Sequence, residues 1–125
     1  PYSIGYYKSA ERFFMTRSFV FTTSFERQWS NMGLTDTELR QLEIDILKDP
    51  RLNPVIPGTG RLRKMRFAFE GQGKSGSVRV LYVDFENVKL IYMIGAFPKS
   101  EKGNLTKAEK NAIKKVIEDI EQTLK

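Results

Sequence analysis

The stretch AFEGQGKSGSVRVLYVD, residues 68 to 84, decides the fold. Two readings compete for it. In one, a small residue, four others and Gly-Lys-Ser make a loose phosphate loop, and the apolar run ending at Asp84 is the metal-binding strand of a nucleotide hydrolase. In the other, GQGKSG is a Gly-rich hairpin loop between two antiparallel strands. A working phosphate loop needs a helix directly behind it, because backbone N–H groups and the helix N-terminus cradle the phosphates. Here Gly76-Ser-Val-Arg-Val-Leu-Tyr-Val follows, which is strand composition, and no helix fits before Asp84. The chain is also short for the parallel sheet such enzymes use. The hairpin reading stands.

On either side of this hairpin the elements follow in order. Lys64 to Phe69 alternates, with Met65, Phe67 and Phe69 on one face and Lys64 and Arg66 on the other. Val78 to Phe85 and Val88 to Phe97 are nearly continuous apolar runs, as expected of central strands covered on both faces, and Glu86-Asn87 is the tight turn between them. Upstream, RLNPVIPGTGR (51 to 61) has two Pro and two Gly and reads as a loop.

Before that loop, Ser18 to Thr22 reads as a short strand, and residues 23 to 49 as a helical hairpin. Its first helix places Phe25, Trp29 and Met32 on one face and stops at Gly33. Its second places Leu39, Leu42, Ile46 and Leu47 inward and ends at Asp49-Pro50. A last helix, about 107 to 124, carries the stripe Ala112, Ile113, Val116, Ile117, Ile120 and Leu124. Lys110, Lys114, Lys115, Glu118 and Glu121 form its outer face. Thr23-Ser-Phe-Glu26, Thr35-Asp-Thr-Glu38 and Thr106-Lys-Ala-Glu109 each fit the capping box, in which hydroxyl and carboxylate reciprocally satisfy backbone donors. Leu34 and Leu39 have hydrophobic-staple spacing around the second box.

The fold class is therefore α+β: an N-terminal strand and helical hairpin, then a three-stranded antiparallel run and a C-terminal helix. The 125 residues suit one domain, and 40% apolar content with 9 Phe and 5 Tyr supplies its core. Residues 1 to 14 precede Met15 and read as upstream or added sequence, or as an N-terminal extension in which Tyr2, Ile4 and Tyr6 alternate like an edge strand. Residues 15 to 125 are then the domain. No run approaches the roughly 20 apolar residues of a membrane span. The first residues do not read as a signal peptide, since Tyr2, Tyr6, Tyr7, Lys8, Glu11 and Arg12 interrupt any apolar core.

Chemistry is constrained by absences. The chain has no cysteine and no histidine, so it lacks thiol nucleophiles, thiolate metal sites and the commonest general base. A cysteine-free chain fits a cytoplasmic location. Net charge is +6, which favours anionic partners, nucleic acid above all. The charge is concentrated. Between Arg61 and Arg79 six bases (Arg61, Arg63, Lys64, Arg66, Lys74 and Arg79) face a single acid, Glu70, a net +5. A charge run is commonly a solvated strand face. Here Lys64, Arg66 and Arg79 fall on adjacent hairpin strands, where like charges are costly unless an anion relieves them. A phosphate backbone is such an anion.

Three linked stretches carry a family resemblance: PVIPGTGRLRKMRF (54 to 67), GKSGSVRVLYVD (73 to 84) and FPKSEKGNLTKAE (97 to 109). From Ser18 onward, over about 105 residues, the chain resembles the RelE/ParE superfamily of bacterial toxins, and within it the HigB-type RelE branch. Arg61 stands where the branch has the second Gly of Gly-Thr-Gly-Gly, and Ser77 where it has a Gly. The resemblance implies the toxin of a type II toxin–antitoxin pair, a ribosome-dependent mRNA endonuclease (an mRNA interferase, hence a hydrolase) that inhibits translation. In that chemistry the RNA 2′-hydroxyl attacks the adjacent phosphate, so neither metal nor other cofactor is expected. The partners it implies are mRNA on the ribosome and a small helix-turn-helix antitoxin.

Such a reaction needs a base, an acid and cations on the phosphoryl oxygens. Arg66 and Arg79 are the candidate phosphate clamp, since guanidinium makes planar two-point contacts. Lys64, set among like charges, is the candidate base. Lys99 and Lys102 are candidates for the acid or for backbone contact. Arg61, Arg63, Lys74 and Lys102 are candidate RNA and ribosome contacts. Tyr82 alternates away from Arg79 and reads as core. Several RelE relatives carry an acid/base Tyr or His near the chain end. This sequence has neither after Tyr92, which leaves the acid open. Two other readings compete: a ParE-like DNA gyrase inhibitor of the same fold, and a non-catalytic RNA-binding module.

Overall fold

The computed structural model describes residues 17–68, 77–101 and 103–125. The expected extension at 1 to 14, Phe69, the whole GQGKSG loop with Lys74, and Lys102 lie outside these residues. Four strands and three helices follow one another: β1 (Ser18–Phe21), α1 (Thr23–Asn31), α2 (Asp36–Lys48), β2 (Arg63–Phe67), β3 (Val78–Phe85), β4 (Leu90–Pro98) and α3 (Lys107–Thr123). The strands form one sheet in the order β1-β4-β3-β2. β2, β3 and β4 run antiparallel, as the hairpin reading requires, while β1 pairs parallel to β4. The link from β3 to β4 is a 3₁₀ turn at Glu86–Val88 that closes on Lys89 at φ 58, so β4 starts two residues later than its apolar run.

The sheet is covered on both faces. On one, α1 and α2 bury Phe25, Trp29, Leu42 and Ile46 against Phe19, Phe21, Phe67, Val80 and Tyr82. A file of rings crosses this layer from edge to edge: Phe19, Phe21, Phe25, Trp29 and Phe67, with successive centroids 5.4–6.3 Å apart. Deleting one such ring costs about 3–5 kcal/mol.

Period-2 alternation sends Lys64 and Arg66 of β2, with Leu62 just before it, and Arg79, Leu81 and Val83 of β3 to the other face. There α3 packs through Ile113, Ile117 and Ile120 onto Leu81, Val83 and Phe85. Its stripe is used unevenly. Ile117 is buried, but Val116 is 46% exposed and Ala112 is also open to solvent.

Two capping boxes stand where expected. The Thr35 N–H donates to Glu38 at 2.7 Å, and the Thr106 N–H to Glu109 at 2.8 Å. The first box does not form. β1 runs on to Phe21, so the chain leaves extended geometry at Thr22, and Thr22 is the cap. Its hydroxyl accepts from the Phe25 N–H at 3.1 Å and donates toward the Met93 and Ile94 carbonyls at 3.1 and 3.0 Å. Glu26 is then one residue too far along to reach back. Those carbonyls belong to a bulge, where β4 carries one extra residue between the pairs Leu81–Gly95 and Tyr82–Met93. Gln28 completes the seam by accepting from the Ala96 N–H at 2.9 Å.

Candidate functional site

The loop before β2 is fixed from within. Thr59 is fully buried; its hydroxyl donates to the Ile56 carbonyl at 2.6 Å and accepts from the Leu62 N–H at 3.2 Å. Gly58 and Gly60 take φ of 86° and 84°, the left-handed region where a side chain is strained. The turn thereby holds Ile56 and Pro57 beside the sheet and starts β2 in a register that opposes Arg66 to Arg79 and Lys64 to Leu81.

Between this loop, the sheet and the start of α3 lies a cavity of about 240 Å³. Its charged walls are Lys64 from β2, Arg79 from β3 and Lys110 from α3. Leu81, Phe97, Leu105 and Pro57 supply apolar wall, and Asn104 a polar rim. α3 runs along β3 in the same direction, its first turns beside this cavity and its last beside Phe85.

Six of the described lysines and arginines are half-buried: Arg17, Arg61, Arg63, Lys64, Arg79 and Lys110. Three are bonded within the fold. Arg17 holds Asp84 through Nε at 2.6 Å and Nη2 at 3.1 Å, and this bonding raises its pKa above the ordinary arginine value. Arg61 contacts Glu121 at 2.9 Å and the Asp84 carbonyl at 3.1 Å, and lies over the Phe85 ring at 4.7 Å. Arg63 points to the helical-hairpin face and donates to the Arg51 and Asn53 carbonyls at 3.1 and 2.6 Å. The side chains of the other three have no hydrogen-bond or ion-pair partner among the described residues, and all three line the one cavity.

The expected site residues therefore separate. Lys64 and Arg79 meet in the cavity, and exposed Arg66 stands beside Arg79 on the same face. Lys99 is exposed in the turn after β4, its N–H bonded to the Ser77 carbonyl at 3.2 Å. An RNA-contact role for Arg61 or Arg63 requires surrendering the bonds just described. Lys74 and Lys102 lie outside the described residues. Lys110 was assigned to the outer face of its helix by the apolar stripe, yet it lines the cavity, with its Cδ 3.7 Å from where a side chain at Gly58 would start. The stripe is centred on Ile117 near the helix middle, so it is a poor guide to the first turn. Tyr82 lies on the opposite face, as its alternation indicates; its hydroxyl donates to the Pro50 carbonyl at 2.8 Å. Asp84, the apparent metal ligand of the phosphate-loop reading, is buried and paired with Arg17.

Comparison with known proteins places this architecture. Residues 11–125 match the family model described as the RelE toxin of the RelE/RelB toxin–antitoxin system. Among solved structures, a double arginine-to-alanine mutant of the E. coli toxin RelE in the free state superposes with a TM-score of 0.50. It is 17% identical, and the match covers 67% of this chain and 84% of that one. That likeness is one of fold.

Proposed function

The chain belongs to the RelE toxin family of RelE/RelB toxin–antitoxin systems, and from that premise we propose that it is a ribosome-dependent mRNA endonuclease. The observation that carries the reading is the pair of half-buried cations, Lys64 and Arg79, that share one cavity without an acceptor from the chain itself. Partly desolvated like charges held together are destabilising until an anion joins them. The anion proposed is the phosphodiester of a message in the ribosomal decoding site.

In this mechanism Lys64 first releases its ammonium proton to water as the substrate seats, and the neutral amine then accepts the proton of the 2′-hydroxyl. Its oxygen attacks the neighbouring phosphorus, and the 5′-oxygen departs. Arg79 holds the phosphoryl oxygens as charge builds on them, and Arg66 grips the same or the next phosphate from the rim. Exposed Lys99 contacts the flanking backbone. Phe97 offers an apolar surface on which a base can stack. The linked motifs favour the HigB-type branch. The partner antitoxin is proposed to be a small helix-turn-helix protein that covers the basic face, and the working compartment is the cytoplasm, where ribosomes are.

A translation reaction with a defined message tests this, with primer extension mapping the cuts. Wild type is expected to cut within codons only when ribosomes are present. Arg79→Ala is expected to lower cleavage by about 10²–10³-fold, the scale of losing one transition-state donor. A message left intact by the wild type on ribosomes overturns the reading.

A further inference from the structure

We propose that Lys110 is the general acid of the cleavage reaction, the group that protonates the departing 5′-oxygen. This rests on the nuclease reading above. The described residues around the cavity include two amine side chains to serve in proton transfer at neutral pH, Lys64 and Lys110. Arginine keeps its proton under these conditions, and Phe, Leu, Ile, Pro, Gly and Asn have none to give. The two lysines come from different walls, Lys64 from the sheet and Lys110 from α3. In-line displacement needs that arrangement, since attacking and leaving oxygens sit on opposite sides of phosphorus.

Lys110 is also held like a working residue. It is half-buried on the fourth residue of α3, in the first turn after the Thr106 cap, and its stem passes Gly58 in the Thr59-braced loop. Among the described residues no carboxylate pairs with it. The neighbouring lysines 107, 114 and 115 are exposed and line no part of the cavity.

The step balances. The 2′-hydroxyl proton passes to the Lys64 amine as the bond from 2′-oxygen to phosphorus forms. The bond from phosphorus to 5′-oxygen breaks, and that oxygen takes a proton from the Lys110 ammonium. The products are a 2′,3′-cyclic phosphate and a 5′-hydroxyl. Lys64 ends protonated and Lys110 neutral, and exchange with water restores both.

The experiment uses programmed ribosomes and two messages, one natural and one with sulfur in place of the 5′-oxygen at the cut site. A thiolate leaves without being protonated. On the natural message Lys110→Ala is expected to be slower by about 10²–10³-fold, the usual weight of one acid–base group. Lys110→Arg is expected to be comparably slow, because guanidinium keeps the charge but not the transferable proton. On the sulfur message both variants are expected to come within about tenfold of wild type, a recovery of most of that loss. Full activity in Lys110→Arg on the natural message assigns Lys110 a purely electrostatic role and overturns the proposal. Equal losses on both messages overturn it too, as does full activity in Lys110→Ala. If wild type cuts the message and the variants behave in one of these ways, only this proposal falls. If wild type cuts neither message, the nuclease reading falls first.

Discussion

The Tyr82 hydroxyl donates to the Pro50 carbonyl at 2.8 Å and accepts from the Asn53 amide at 3.1 Å, and no part of the residue reaches solvent. It ties β3 to the end of α2 and the loop that follows. Tyr82→Phe keeps the ring and orphans a carbonyl, which is expected to cost about 1–2 kcal/mol in urea unfolding while leaving cleavage intact. Burial disfavours the phenolate and so raises the Tyr82 pKa above its ordinary value near 10. A raised value in the folded state means the tyrosine's contribution is complete below about pH 10 and is lost as pH climbs through the folded pKa. Wild type should therefore lose stability more steeply than Tyr82→Phe above pH 10, which unfolding curves taken between pH 8 and 11 would show. Parallel curves would mean the hydroxyl is not held as the structure draws it. Asp84 makes the same point with charge. Its apolar setting and terminal position suggest chemistry, but both carboxylate oxygens bind Arg17. Breaking so buried a pair by Asp84→Ala is expected to cost about 3–5 kcal/mol in the same assay.

At the scale of elements, Thr22 has two tasks, capping α1 and receiving the bulge carbonyls of β4. Thr22→Ala is expected to lower stability by about 1–2 kcal/mol, whereas Thr23→Ala, one residue into the helix, should change it by less than about 0.5 kcal/mol. Equal effects in thermal or urea unfolding would restore the capping box that the sequence suggests. That box shows where sequence reading stops. Thr-Thr offers two caps one residue apart, and the choice depends on how far β1 extends, which its pairing with β4 determines. The three antiparallel strands, three helices and two remaining boxes were legible because period 2, period 3.6 and Thr-x-x-Glu are local patterns. The parallel seating of β1 was not, since it depends on a partner strand about 70 residues away, nor was the β4 bulge, which no local period marks. The site divides in the same way. Alternation alone put Lys64, Arg66 and Arg79 on one face. Lys110 joins them only because the first turn of α3 lies beside the loop at Gly58, and Arg61 leaves them because Phe85, Glu121 and the Asp84 carbonyl lie within its reach.

Across the whole molecule, the sheet sorts its cations by face. The +5 concentrated between Arg61 and Arg79 looks like one patch in the sequence, yet consecutive strand residues point to opposite sides. Arg66 is exposed on the cavity face, while Arg63, three residues earlier, turns to the helical-hairpin face and fastens the Arg51–Asn53 carbonyls. Only the first is placed to displace counterions from a nucleic acid. The affinity of wild type for a short single-stranded RNA should fall linearly on a log–log plot between 50 and 200 mM salt, each phosphate neutralised contributing about 0.7 to the slope. Arg66→Ala should reduce that slope by about 0.7 and leave the melting temperature nearly unchanged. Arg63→Ala should do the reverse, keeping the slope and lowering stability by about 1–2 kcal/mol through its lost bonds to the carbonyls. Fluorescence anisotropy titrations paired with thermal melts separate the two. Equal slope changes would mean that RNA follows total charge over the surface. A loss confined to Arg66 would mean that it follows the cavity face, where an arginine on β2 stands against one on β3 with no acid from the described chain between them.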